Sequence, residues 1–318
     1  MISRKKQILK PPRLKKNDVI GLVCPASTPS SAEKVEKAVR YLEGLGYRTK
    51  VGRHVMKQVG YLAGTDDERA EDLNEMFRDK SVRAVIAVRG GYGTPRILTR
   101  IDFGALKRDP KILVGYSDLT ALQLAVFRKI GLVSFSGPMA GVEMWNAIDP
   151  YTEEHFWKLL TSATPVGVLA NPADEPTQGK GSGLVKGRLL GGNMSLVASL
   201  LTTPYSPDYR GSILVLEDVD EAPHRVDRMF VQFRLGGMLD RISALVLGRF
   251  TDCVPSDPKK PSLSIEDVLK EVVASVEVPV LTNFQYGHIP KKLTLPFGLQ
   301  AVLDASRRTL DVRESAVR

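Results

Sequence analysis

A short apolar run meets a helical pattern in the stretch 111–127, KILVGYSDLTALQLAVF. The apolar residues predict a buried strand, and the residues after the Gly-Tyr-Ser-Asp corner predict a helix. Such a turn would present the hydroxyl of Ser117 beyond the strand end, beside the backbone N–H groups that open the helix. Ser117 is therefore a candidate nucleophile. The alternative is an ordinary helix N-cap, since serine is common there and Asp118 departs from the usual G-x-S-x-G pattern.

Strand and helix patterns alternate on the N-terminal side of this stretch. Strand patterns at 19–23 and 82–88 are separated by helix patterns, for which capping boxes are predicted at 30–33 and 65–68. Repeated alternation of this kind predicts a doubly wound parallel sheet, with functional residues at the carboxyl ends of its strands. The predicted fold class is therefore α/β.

The periodic patterns are interrupted once, between residues 163 and 183. This segment contains proline, glycine, serine and asparagine without a regular period, which predicts a linker. Strand and helix patterns then restart and end in strand-like runs, which predicts a smaller, mixed α/β domain with a β-rich end. The expected organisation is a basic tail (1–16), an N-terminal α/β domain (17–162), the linker (163–183) and a C-terminal domain (184–318).

Composition limits the class of protein. A chain of 318 residues with 43% hydrophobic content can bury a large core in two domains. No apolar stretch approaches the roughly 18 to 20 residues needed to cross a bilayer, and the N-terminus lacks the apolar segment of a secretory signal. Cys24 and Cys253 are the only cysteines and lie far apart, so a disulfide framework is not expected. We therefore expect a cytoplasmic protein without a membrane partner.

The net charge of +9 is concentrated at the N-terminus. Residues 1–16 carry seven basic and no acidic side chains, so the remainder of the chain has a net charge of +2. A basic tail could bind nucleic acid or anionic lipid, but we expect a solvated, partly frayed end. Accordingly, no nucleic-acid partner is expected, and deletion of the tail should leave the main activity nearly unchanged.

One of the four histidines is placed as a general base requires. His54, His155 and His224 lie in patterns typical of surface or helix positions. His288 lies in the loop 287–290, where glycine and proline restrict the backbone on both sides. Proton transfer requires a side chain held within hydrogen-bond reach of its partner. His288 is therefore the candidate base.

A cluster of acidic residues offers a partner for this histidine. Glu217 directly follows the strand pattern 213–216 and should emerge at a carboxyl end, while Asp218, Asp220 and Glu221 are competing candidates. Some of these acids are expected to cap the following helix. No second ligand cluster with suitable spacing accompanies them, so a metal site is not expected.

The glycine-rich segment Arg89-Gly-Gly-Tyr-Gly93 ends another predicted strand. Glycines at this position let backbone N–H groups approach a ligand, either as half of an oxyanion hole or as a phosphate cradle. The segment matches neither G-x-G-x-x-G nor a P-loop, so no nucleotide cofactor is expected. A plain glycine turn is the alternative.

Five motifs together resemble those of the LD-carboxypeptidase family of serine peptidases in order and approximate spacing. That family includes muramoyltetrapeptide carboxypeptidases and microcin C self-immunity peptidases, and the resemblance extends over residues 18–304. The motifs are Arg89-Gly-Gly-Tyr-Gly93, Gly115-Tyr-Ser-Asp118, Gly187-Arg-Leu-Leu-Gly-Gly-Asn193, Leu216-Glu-Asp-Val-Asp-Glu221 and Gly287-His-Ile-Pro290.

The resemblance implies a role for each matching residue. Ser117 would be the nucleophile, His288 the general base and later acid, and Glu217 the group that orients the imidazole. The backbone N–H groups of Gly91 and Asp118 would form the oxyanion hole. The implied fold is a flavodoxin-like N-terminal domain and a smaller C-terminal domain that carries the acid and the histidine, with the site in the cleft between them.

The resemblance also implies an activity, namely hydrolysis of the L,D-peptide bond before a terminal D-alanine in cytoplasmic murein tetrapeptides, by a homodimer without a cofactor. Two alternatives remain. A microcin C-like immunity peptidase would cleave a peptidyl-nucleotide, and a catalytically silent protein would only bind peptides. The wall-recycling activity is preferred because the segment between the domains is shorter than in the immunity peptidases, and a silent protein is disfavoured because every triad position is filled.

Overall fold

The structure is a computed structural model that describes residues 7–318 and contains two β-sheets with helices packed around them. The strands are β1 (Val19–Val23), β2 (Arg48–Val51), β3 (Val82–Ala87), β4 (Ile112–Val114), β5 (Ser134–Ser136), β6 (Gly167–Leu169), β7 (Gln178–Lys180), β8 (Leu184–Asn193), β9 (Ser212–Val219), β10 (Ala244–Thr251), β11 (Val280–Thr282), β12 (Leu295–Phe297), β13 (Gln300–Asp304) and β14 (Thr309–Val312). The helices are α1 (Ala32–Gly44), α2 (Asp66–Arg78), α3 (Thr94–Ile97), α4 (Phe103–Arg108), α5 (Thr120–Ile130), α6 (Pro150–Thr161), α7 (Met194–Leu200), α8 (Pro223–Leu235) and α9 (Ile265–Ser275). None of the helices within residues 7–318 combines the length and the apolar character needed to cross a membrane.

The first sheet has the strand order β12-β5-β4-β3-β1-β2. The strands from β5 to β2 are parallel, and β12 pairs antiparallel with β5. Alternate side chains of β1 enter different cores: Val23 joins the cluster that contains Met76 of α2, and Leu22 joins the one that contains Val35 of α1. Helices therefore cover both faces of this sheet, and the predicted α/β class is confirmed.

The second sheet has the strand order β6-β14-β13-β8-β9-β10-β11-β7. Its central strands β8 to β11 are parallel, and the outer strands pair antiparallel. This arrangement confirms the predicted mixed α/β, β-rich character of the C-terminal part. One strand of this part, β12, lies in the first sheet instead.

The segment 163–183, for which a linker is predicted, contains β6 and β7. These short strands form the two edges of the second sheet. Glu175, between them, forms an ion pair with Arg249 of β10 at 2.5 Å. The irregular composition of this segment thus belongs to turns between edge strands, and the division of the chain into domains at its ends stays a prediction.

The N-terminal segment differs from the expected frayed end. The N–H of Leu9 donates to the carbonyl of Gly131 at 2.9 Å, and the N–H of Leu14 donates to that of Leu160 at 2.8 Å. The side chain of Leu14 is 2% exposed. Residues 8–14 are therefore packed against the body of the protein, because apolar residues are interspersed among the lysines. Residues 1–6 of the predicted tail lie outside the described residues.

The two predicted capping boxes have different outcomes. Thr65 and Glu68 form the predicted box at the start of α2. At α1 the prediction is wrong, because Ser31 is the N-cap and accepts a hydrogen bond from the N–H of Lys34. The helix begins one residue later than the box requires, so Glu33 occupies the second helical position, where its side chain does not complete a box.

Candidate active site

Ser117 lies at a sharp turn between β4 and α5, as the sequence predicts. Its φ of 62° is left-handed, which is uncommon for a serine and costs on the order of 1 kcal/mol or more. The N-cap of α5 is Leu119 and makes no side-chain capping bond. The alternative of an ordinary N-cap at Ser117 is therefore excluded, and the strained turn is the geometry in which nucleophilic serines are presented.

The glycine-rich loop lies against this serine. A Cβ atom added to Gly90 would lie 3.0 Å from the Cβ and 3.2 Å from the Oγ of Ser117. Gly91 has a φ of 104°, and a Cβ there would lie 2.3 Å from the Oγ of Ser27. The left-handed φ at Gly91 favours glycine, and the lack of a side chain at Gly90 lets the loop backbone pass close to Ser117. The alternative expected from the sequence was a plain glycine turn; in the structure, this turn lies against the serine.

His288 and Glu217 form a hydrogen-bonded pair. The imidazole Nδ1 lies 2.7 Å from Oε2 of Glu217, whose side chain is fully buried on β9. In the tautomer that carries the proton on Nδ1, this nitrogen donates to the carboxylate and Nε2 is the acceptor. Gly287 has a φ of 136°, and a Cβ there would lie 3.1 Å from the same carboxylate oxygen. Glycine before the histidine thus permits this close contact.

The competing acids have other partners. Asp218 accepts hydrogen bonds from the amide of Asn193 at 2.8 Å and the hydroxyl of Ser195 at 2.7 Å. Glu221 lies 3.6 Å from the guanidinium of Arg225, and Asp220 has a left-handed φ of 58° in the turn after β9. Within residues 7–318, no group of three or more His, Cys, Asp or Glu side chains is arranged to hold a metal ion.

The remaining histidines are placed away from this arrangement. His54 contacts Asp72 at 2.8 Å after β2. His155 contacts the carbonyl of Tyr151 within α6. His224 lies in the first turn of α8. His155 and His224 lie in helices as the sequence predicts, and His54 is half-buried in the turn after β2.

A buried polar network lies on the other side of His288 and was not predicted from the sequence. The carboxylate of Glu143 accepts hydrogen bonds from the hydroxyl of Tyr116 at 2.8 Å and the ammonium of Lys292 at 2.6 Å. The ring of Tyr116 packs edge-on against the imidazole, with ring centroids 5.0 Å apart. The lysine side chain is 3% exposed and its Nζ lies 4.0 Å from the centre of the tyrosine ring. The imidazole is therefore held between the Glu217 carboxylate and the tyrosine ring.

This network lies in a cleft beside the nucleophile turn. The cleft has a volume of about 330 Å³, within the range of small-molecule sites. One wall is the segment 142–149 and the other includes His288 and Pro290. Tyr116 lines the cleft and is adjacent to Ser117 in the chain, so a cleft at this turn could be anticipated from the sequence. Its two walls could not, because they are separated by about half the chain.

The two halves of the site are joined by direct contacts. The N–H of Asn193, at the end of β8, donates to Oγ1 of Thr120 in α5 at 3.0 Å. The hydroxyl groups of Ser136 on β5 and Tyr286 in the histidine loop lie 2.6 Å apart. The structure thus brings a left-handed serine, a glycine-rich loop and a carboxylate–imidazole pair into one region of the fold, and these are groups that acyl-transfer chemistry can use.

Two family models match the chain. The description of the first is LD-carboxypeptidase N-terminal domain, matched over residues 20–137, and that of the second is LD-carboxypeptidase C-terminal domain, matched over residues 186–303. The first range includes Ser117, and the second includes Glu217 and His288.

Two sequence relatives share most of the chain. A probable murein peptide carboxypeptidase of Bacillus subtilis is 40% identical over 303 residues, covering 94% of this chain and 93% of the relative. A murein tetrapeptide carboxypeptidase of Pseudomonas aeruginosa is 34% identical over 296 residues, covering 91% of this chain and 94% of the relative.

Two solved structures are similar over almost the whole chain. The microcin C7 self-immunity protein MccF in its wild-type apo state has a TM-score of 0.88 at 27% identity, covering 98% of this chain and 100% of that one. A muramoyltetrapeptide carboxypeptidase from Oxalobacter formigenes has a TM-score of 0.80 at 32% identity, covering 93% of this chain and 99% of that one.

Proposed function

Because the chain belongs to the LD-carboxypeptidase family of serine peptidases, we propose that it hydrolyses the L,D-peptide bond before a terminal D-alanine in murein tetrapeptides. The names of its relatives from Bacillus subtilis and Pseudomonas aeruginosa support a murein peptide as substrate. The cleft of about 330 Å³ beside the nucleophile turn offers room for the reacting end of such a peptide.

In the proposed mechanism, Oγ of Ser117 attacks the carbonyl carbon of the L-configured residue while Nε2 of His288 accepts the hydroxyl proton. The carbonyl oxygen becomes an oxyanion, for which the N–H groups of Gly91 and Asp118 are the proposed donors. The imidazolium then gives its proton to the amine of D-alanine, which leaves as the C–N bond breaks. Water hydrolyses the resulting ester with the same histidine as base, and Glu217 holds the ring in its productive tautomer.

The observation that supports these roles most directly is the 2.7 Å contact between His288 and the fully buried Glu217. A buried carboxylate in contact with one imidazole nitrogen stabilises the imidazolium that forms during proton transfer. The left-handed φ of Ser117 supports the role of this residue as the nucleophile.

The proposal extends to the setting of the enzyme. We expect a homodimer in the cytoplasm that acts in the recycling of cell-wall peptides. Cys24 and Cys253 are free and buried, which is compatible with a reducing compartment. Sedimentation of the purified protein will test the oligomeric state, and fractionation of cells that produce it will test the location.

The activity is tested by release of D-alanine from L-Ala-D-Glu-meso-diaminopimelyl-D-Ala. We expect release by the unaltered protein, with and without a chelator, and none by Ser117→Ala. Ser134→Ala is the control, because this serine is buried and its hydroxyl has no hydrogen-bond partner among the described residues. Full turnover by Ser117→Ala would disprove the role of the nucleophile.

A peptidyl-nucleotide immunity activity is the second candidate, favoured by the higher TM-score of 0.88 to MccF. Structures of MccF include a complex with aspartyl sulfamoyl adenosine. Incubation of the protein with this compound therefore separates the candidates. Cleavage of the compound without release of D-alanine from the tetrapeptide would favour the immunity activity, and binding of both without cleavage would favour a silent binding protein.

A further inference from the structure

Arg69 is a buried cation in the first turns of α2, with 1% of the residue exposed. A charge in this position has to be paired and hydrogen-bonded, because its desolvation is otherwise costly. Its Nη1 donates to the backbone carbonyl of Pro25 and to that of Gly93, the latter at 2.9 Å, and its Nη2 donates to Asp66. One guanidinium thus bridges two backbone segments.

These two segments are the loops that follow β1 and β3, and the second lies against the nucleophile turn through Gly90. The loops also contact each other, since the N–H of Ser27 donates to the carbonyl of Gly90 and its hydroxyl accepts from the N–H of Tyr92, each at 3.1 Å. Gly91 lies between these two bonds. Ser27 therefore holds the backbone on both sides of Gly91, and the guanidinium of Arg69 holds the carbonyl of Gly93, two residues further on.

The guanidinium lies directly against the glycine-rich loop. A Cβ added to Gly93 would lie 2.7 Å from Nη1 of Arg69, and the φ of this glycine is 132°. A planar guanidinium reaches the two carbonyls and the carboxylate at once through fixed N–H directions. A lysine ammonium is a single point charge and cannot reproduce this arrangement.

We propose that Arg69 is a positioning residue for the oxyanion hole, which holds the peptide N–H of Gly91 at its distance from Ser117. This inference rests on the proposed function. Arg69 does not touch the reacting atoms and acts through the loop, so its loss should lower kcat and leave KM nearly unchanged, because the oxyanion exists only in the transition state and the intermediate.

The test compares Arg69→Ala with Lys111→Ala. Lys111 is also 1% exposed and donates to two backbone carbonyls and an aspartate, but it lies at the start of β4, the end of that strand opposite Ser117. Arg69→Ala should lower kcat about 10- to 100-fold, with KM changed less than about 2-fold. Millimolar guanidinium, far below the molar range that unfolds proteins, should restore part of kcat in Arg69→Ala only.

Each outcome bears on the inference. An Arg69→Ala kcat equal to that of Lys111→Ala, or the same guanidinium response in both, would overturn it. If the arginine variant does not fold, Arg69→Lys should fold and show a reduced kcat, and a full kcat there would overturn the inference as well. A crystal structure of the folded variant shows the position of the loop directly, and an unmoved loop 90–93 would refute the positioning role. A lack of D-alanine release by the unaltered protein would refute only the proposed function, and the crystal structure would still test the positioning role.

Discussion

The backbone N–H of Thr94 donates to Oδ2 of Asp118 at 2.7 Å, which ties the end of the glycine-rich loop to the residue after Ser117. The residue Asp118 is 2% exposed, and burial raises the pKa of its carboxyl above the ordinary value. The side chain of this residue therefore joins the two segments that are proposed to supply the oxyanion hole, in addition to the proposed role of its own N–H group.

Asp118→Asn should remove a cost to the stability of the folded protein that depends on pH. The carboxyl has a higher pKa in the folded protein than in the unfolded chain, so its ionised form lowers stability, and this cost disappears as the pH falls through the folded pKa. The asparagine amide has no such dependence and still offers an oxygen to Thr94. The unfolding free energy of Asp118→Asn, minus that of the unaltered protein, should be largest at about pH 7. This difference should fall as the pH is lowered toward about 4. Urea unfolding at several pH values measures it, and a difference that grows on acidification would contradict the prediction.

Ser117→Gly and Ser117→Ala should both be inactive, but they should differ in stability. Because the φ of this residue is 62°, glycine relieves a strain that alanine retains. The unfolding free energy of Ser117→Gly should exceed that of Ser117→Ala by about 0.5–1 kcal/mol, and its unfolding temperature should be higher. Calorimetry of the two variants measures the difference. Equal stabilities would show that the turn is not strained.

Glu217→Gln should lower kcat by about 10³-fold or more, since the neutral amide cannot stabilise an imidazolium. The matched control is Glu221→Gln, which alters an acid four residues away that pairs with Arg225 and not with His288. We expect the control to retain kcat within about 3-fold, because its ion pair is long, at 3.6 Å, and the arginine is largely exposed. Steady-state release of D-alanine distinguishes the two, and similar losses in both would argue against an orienting role for Glu217.

Lys292→Met should destabilise the fold by about 3 kcal/mol, because the carboxylate of Glu143 would remain buried without its cation. Glu143→Gln in the same chain should restore part of this loss, since no unpaired charge is then left. A double-mutant cycle in urea measures the coupling between the two positions. Additive effects would mean that the pair does not interact as its 2.6 Å separation indicates.

The N-terminal segment should matter for stability. Leu14→Ala should cost about 2–5 kcal/mol, the usual range for a buried leucine, whereas Arg13→Ala, at an exposed neighbouring position, should cost less than about 0.5 kcal/mol. Both proteins, while folded, should keep their kcat. Loss of kcat in folded Leu14→Ala would indicate that this segment also shapes the site.

The sequence is informative where a local pattern decides the structure. The apolar run 112–114 and the corner at Ser117 each depend on neighbouring residues, and the structure has a strand and a left-handed serine at these positions. The histidine loop could be singled out for the same reason, because glycine and proline act on the adjacent backbone.

Features that depend on distant pairing could not be predicted. β6 and β7 have only three residues each and are exposed in large part, so their composition is that of a loop, and only their neighbours in the sheet make them strands. The network of Tyr116, Glu143 and Lys292 joins three separate segments, and no spacing rule relates them. The burial of Arg69 could not be predicted, because an arginine at the fourth position of a helix is typical of the surface.

The strand β12 gives the site a dependence on the order of synthesis. It pairs with β5 in the first sheet although it follows the second sheet's central strands in the chain, and the histidine loop lies directly before it. A nascent chain that has emerged only as far as β11 contains most strands of both sheets, yet it lacks His288, the proposed base. Hydrolytic capacity should therefore arise only when translation is almost finished, so that incomplete or prematurely released chains carry the serine in an inert form.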